Sequence, residues 1–193
     1  LGFSIAMGVL ARRANIEQQK AQREAEFLAG MFKAASPEEA RGHEITARDL
    51  LDRGAQRIEK ELASEPQVRT SLLMSIAEAY SDLGAYDQGL DLLKKTFSHN
   101  NWARSITPLD RASVLEVMGT LHRLKGDYKT ADPLFRQALS IRQKYLGNSD
   151  TGVVESLTNL GECLYLEGLD GESESLLRNC LLYTSPSPRD RQK

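Results

Sequence analysis

Few side chains in this sequence stand in a pattern that could carry out chemistry. His43 and Glu44, in the string HEITA, resemble the opening of a zinc-protease helix, but no second histidine follows to put two ligands on one face, so the pair reads as a polar helix start. His122 falls within an apolar segment and reads as a packed histidine rather than a base. Cys163 reads as a small buried filler, and together with Cys180 it is too isolated for a zinc site or a disulfide framework. Glu172 and Glu174 read as a solvated acidic face, while Trp102, in NNWARS, fits either a packing lid or an exposed contact. The chain holds no G-x-G-x-x-G, no H-R-D with a downstream Asn and no D-F-G. No catalytic residue, cofactor or metal ligand is assigned, and the expectation is a binding protein, not an enzyme.

The elements that would position a binding surface follow from composition and period. With 193 residues, 40% of them hydrophobic, and a net charge of -2, the chain is long enough for one folded domain plus an appendage and lacks the basic balance that nucleic-acid binding calls for. A repeat then emerges. Aligning residues 75–93, 117–135 and 159–177 superposes Gly84, Gly126 and Gly168 at intervals of 42 residues, with Ala77, Gly119 and Gly161 each seven residues earlier. Such a unit needs a helix, a tight turn at the glycine and a second helix folded back on the first. Gly119, Ala131 and Ala138 let backbones approach, and Leu115, Met118, Phe135 and Leu139 fill the volume between them.

Helix signals agree with this division. Thr107-Pro108-Leu109-Asp110 offers an N-cap, a first-turn proline and an acid at the third helical position, and Ser36-Pro37-Glu38-Glu39 repeats that chemistry upstream. The spacing predicts helices over 2–34, 46–64, 68–83, 86–98, 108–125, 128–146, 151–167 and 170–179, the sixth with Pro133 near its start, and no strand. The expected fold is all-α, a solenoid of helical hairpins with a long N-terminal membrane or juxtamembrane helix.

The two ends are read separately. LGFSIAMGVLA followed by Arg12 and Arg13 is too short to cross a bilayer alone, which takes about 20 apolar residues, but suits the last half of a membrane helix closed by a basic anchor. A buried helix end is the alternative; a signal peptide would carry its basic residues before the apolar run. Residues 1–13 are thus expected to be the C-terminal half of a truncated transmembrane helix, making the protein single-pass and membrane-anchored. Residues 14–45 form a connector whose stripe of Phe27, Leu28, Met31 and Phe32 either docks on the first hairpin or pairs with a second copy as a homodimer. Residues 46–66 form a capping half-repeat and 67–179 three repeats. Cys180 to Asp190 resembles a translated reading frame of a transposase-type sequencing adapter, so 180–193 is expected to be a non-native tail.

The phrase GDYKTADPLFRQALSIRQKYLG (126–147) resembles tetratricopeptide repeats of the kinesin-light-chain kind, through Gly126, Tyr128, Ala131, Pro133, Leu134, Arg136, Ala138, Leu139, Ile141, Arg142 and Leu146-Gly147. The first repeat departs at Gly89, where alanine is usual, and the third at Asp170 and Ser173. The resemblance implies a scaffold that binds a protein or peptide along its first helices, which line the concave side. The inward residues there are Met74, Glu78 and Ser81, then Glu116, Thr120 and Arg123, then Glu155, Thr158, Glu162 and Tyr165. This set leans acidic, which fits either a basic or mixed-charge peptide or a solvated face, and it lacks the Lys and Asn pattern that clamps a terminal carboxylate.

A wider resemblance joins the apolar run, RRAN, FLAGMF, the Ser-Pro segment and ITARDLLDRGAQRIEKEL to the region that follows the catalytic domain in bacterial membrane-anchored serine/threonine protein kinases. It implies a kinase before Leu1, one membrane span and a C-terminal sensor or scaffold. A cytoplasmic kinase and a single span would put the repeats outside, whereas Arg12 and Arg13 favour a cytoplasmic flank. A free-standing soluble adaptor is the alternative.

Overall fold

A computed structural model describes residues 2–34, 46–97 and 105–184. His43, Glu44, Trp102 and the Ser36 cap lie outside the described residues. The described chain is helical: α1 (Gly2–Ala34), α2 (Ala47–Glu61), α3 (Pro66–Asp82), α4 (Tyr86–Phe97), α5 (Pro108–Leu124), α6 (Tyr128–Leu146), α7 (Thr151–Glu167) and α8 (Asp170–Thr184). It divides into two compact units, Leu1–Ile76 and Ala77–Lys193, with the division inside α3.

In the N-terminal unit, α1 is one continuous helix of 33 residues. Among the described residues no helix is long and apolar enough to cross a membrane, so α1 shows no complete span of its own. The reason is local, since Arg12, Glu17, Lys20, Arg23 and Glu24 follow the apolar run within the same helix. Two residues of the α1 stripe pack on α2, the expected capping half-repeat, and not on the first hairpin. Phe27 and Met31 are buried, the Met31 side chain fills the space above Gly54 of α2, and the Arg57 guanidinium lies 5.3 Å from the Phe27 ring centroid. Arg23 pairs with Glu65 at 2.6 Å beyond them. Docking thus covers Phe27 and Met31, while Leu28 beside them stays 39% exposed. Thr46 opens α2 with a reciprocal capping box to Asp49, and the helix stops at Glu61, before the expected 64.

In the C-terminal unit the turns repeat. Gly84, Gly126 and Gly168 have φ of 69°, 78° and 88°, and a Cβ on any of them would touch nothing within 4 Å, so backbone conformation rather than space selects glycine. Each turn closes with the same bond from the residue after the glycine to a carbonyl five residues back: Ala85 to Tyr80 at 2.8 Å, Asp127 to His122 at 2.9 Å and Leu169 to Leu164 at 2.9 Å. Between the helices, Gly119 faces the fully buried Phe135 ring and Gly161 faces Leu177. The departures in the first and third repeats are accommodated. A Cβ at Gly89 would stand 3.1 Å from the Ala77 carbonyl, and buried Ser173 donates to the Gly161 carbonyl at 2.8 Å. Pro133 sits inside α6 as expected, and α8 runs on to Thr184.

Candidate peptide-binding face

The first helices of the hairpins present the residues named from the sequence, but not equally. On α7, residues 155, 158, 162 and 165 form one row at helical spacing: Glu155, Glu162 and Tyr165 are exposed and Thr158 is half-buried, its hydroxyl donating to the Val154 carbonyl at 3.0 Å. On α5, Thr120 and Arg123 are half-buried. Arg123 Nη1 reaches across to Glu162 Oε2 at 3.4 Å and ties the two helices together. Ser81 is half-buried on α3, and Glu78 is exposed there, its carboxyl pushed up first by partial desolvation and then by the Asp82 charge. Met74, half-buried, belongs to the N-terminal unit.

Glu116 corrects the expectation. It is buried, ion-paired with Arg142 of α6, and accepts from Asn159 Nδ2 at 2.9 Å and from Ser156 Oγ at 3.2 Å on α7. Arg142 also donates to Ser156 Oγ at 2.8 Å and to the Gly152 carbonyl at 3.1 Å. Glu116 therefore holds three helices together, its carboxylate turned into their seam. A signal existed: 131, 135, 138 and 142 form the buried row of α6, so an arginine at 142 requires an internal carboxylate.

The remaining chemical candidates are structural. His122 Nδ1 lies 2.9 Å from Asp127 Oδ2, and Asp127 caps α6; its carboxyl is held low mainly by the Thr130 bond, with His122 adding to it. Cys163 is fully buried, and desolvation, followed by the Asp132 and Glu167 charges, pushes its thiol up to about 11. The folded state keeps that proton where an unfolded chain, near 9.0, releases it, so this contribution to stability is complete below pH 9 and lost as pH climbs toward about 11. Iodoacetamide at about pH 8 should leave Cys163 unmodified until the chain is denatured; peptide mass mapping that found it labelled in the folded protein at a free-thiol rate would refute this.

The hairpins, their glycine turns and the crossing of small residues with large ones define a tetratricopeptide-type solenoid. Residues 110–181 match the family model described as tetratricopeptide repeat. Among solved structures, the chain is similar to the nearly identical TPR-like repeats of a protein from Podosopora anserina assigned as a kinesin light chain. That structure matches at 18% identity and a TM-score of 0.56, over 93% of this chain and 94% of that one. BtubC (BKLC) from P. vanneervenii matches at 16% identity and a TM-score of 0.60, over 92% of this chain and 67% of that one. At these identities the likeness concerns fold. A comparison with curated proteins finds no match.

Proposed function

We propose that the α5 and α7 rows, with Glu78 on α3, receive an extended peptide segment of a partner protein, basic or mixed in charge, and that the chain acts as an interaction scaffold. The observation that carries this reading is the pairing on α7 of a 65% exposed Tyr165 with a 52% exposed Glu162, one turn apart on a helix whose opposite face is packed. An aromatic ring beside an open carboxylate suits a cationic side chain. Charge reversal at two positions, Glu78→Lys with Glu162→Lys, should weaken binding of lysine- and arginine-containing peptides by about tenfold or more, measured by fluorescence anisotropy. Unchanged affinity for every such peptide would remove the face assignment.

We further propose that the chain is the region following the catalytic domain of a membrane-anchored bacterial serine/threonine kinase. The support is the sequence pattern alone: the apolar residues 2–11, the Arg12-Arg13 stop, and the ordered FLAGMF and ITARDLLDRGAQRIEKEL segments. Reading the gene upstream of Leu1 tests it: a kinase catalytic loop and the rest of a span support it, and a start codon immediately upstream sinks it.

A further inference from the structure

The Arg123–Glu162 pair decides between the two peptide chemistries that the acidic lean of the face allows. The two partners are unequally placed: Glu162 is 52% exposed, whereas the Arg123 side chain is only 18% exposed. The pair is also loosely made, with charged atoms 3.4 Å apart, and Arg123 Nε is buried without a hydrogen-bond partner among the described residues. Thr120, one turn earlier on α5, brings no compensating charge.

Consider a ligand cation arriving at Glu162 beside Tyr165. It competes with Arg123 for the accessible carboxylate, and the guanidinium, 18% exposed, is left short of its counter-charge. Drawing the exposed partner away is unfavourable because the less exposed Arg123 charge is then poorly compensated. A purely basic ligand therefore loses at Arg123 what it gains at Glu162. A ligand with an acidic group next to its basic one avoids that loss, since its carboxylate replaces Glu162 on Arg123.

Resting on the peptide-face reading, we infer that Arg123 is the specificity-determining residue of this face and that the preferred occupant is a mixed-charge segment, a basic side chain flanked by an acidic one, rather than a polybasic one. Arg123 rejects polybasic sequences; Glu162 and Tyr165 hold the cation.

The test uses the full chain and three peptides of equal length: alternating Lys and Glu, all Lys in the charged positions, and all Glu. Isothermal titration should give the alternating peptide about tenfold or more tighter binding than the lysine peptide, with the glutamate peptide weakest. Arg123→Gln should invert the first two, because the neutral amide needs no counter-charge, with thermal melting confirming that the variant folds. Arg123→Lys should preserve the wild-type order. If the lysine peptide binds wild-type chain as tightly as the alternating one, or if Arg123→Gln leaves the order unchanged, the Arg123 role is overturned while the peptide face stands. If none of the three binds, the peptide face falls and this inference with it.

Discussion

Replacing Glu116 with alanine is expected to destabilise the C-terminal unit by about 3–5 kcal/mol, read as a shift of the urea midpoint followed by far-UV circular dichroism. The Glu116 and Arg142 side chains are 10% and 11% exposed, so neither is bathed in solvent that could screen the loss. Without the carboxylate, the guanidinium keeps its bonds to Ser156 and the Gly152 carbonyl but loses its counter-charge, while Asn159 loses its acceptor. The cost falls on the seam between α5, α6 and α7. In a repeat array, whose stability is a sum of unit and neighbour terms, that seam is where cooperativity is carried. Glu116→Leu combined with Arg142→Met should recover most of the loss, because the pair's own desolvation is expensive and a well-packed apolar replacement avoids it. A single substitution costing less than about 1 kcal/mol would mean that the pair is solvated in solution.

What the sequence disclosed about the fold was what depends on backbone and period. A glycine recurring every 42 residues predicted three tight turns, and all three are there, each with its glycine at positive φ; α6 and α7 begin and end at the residues read for them. The end of α8 lies five residues beyond the expected 179 (184 − 179 = 5), past the change of composition at Cys180. The string CLLYT has no breaker, and the first proline downstream is Pro186, so the helix continues to Thr184.

The period also reaches further upstream than the three repeats. Gly54, Thr96 and Ala138 are all buried, and 138 − 96 = 42 and 96 − 54 = 42, so α2 keeps the register of the later second helices.

The binding face was legible only in part. Helical spacing selects a side of α5 or α7 but does not say which polar residues on that side find partners on another helix. Glu116 and Glu162 fall on the same side in the repeat alignment, one turn apart, Glu116 matching Thr158 and Glu162 matching Thr120 (158 − 116 = 42 and 162 − 120 = 42). One is locked inward by an arginine 26 residues along the chain, and the other stands half in solvent (142 − 116 = 26).

The close crossing of α5 and α6 sets the second large effect. Phe135 is fully buried, and its alanine variant should lose about 3–5 kcal/mol through lost transfer energy and an unfilled cavity lined by Ala131, Leu160 and Leu164. The opposing change is also unfavourable. A Cβ at Gly119 would stand 2.9 Å from Phe135 Cε1, and the ring, enclosed by the same cluster, has little room to yield. Gly119→Ala gains about 1 kcal/mol of helix propensity yet should still come out destabilising, because overpacking a filled core costs about 1–3 kcal/mol. The two residues share one contact, so their effects should not add. Combining Gly119→Ala with Phe135→Leu should cost less than the two single changes summed, by a coupling of about 0.5–3 kcal/mol, since the smaller side chain leaves the new methyl its space. A double-mutant cycle in urea measures it. Strict additivity would show that the helices separate freely at this crossing, and the small residues of the repeat would then need another explanation.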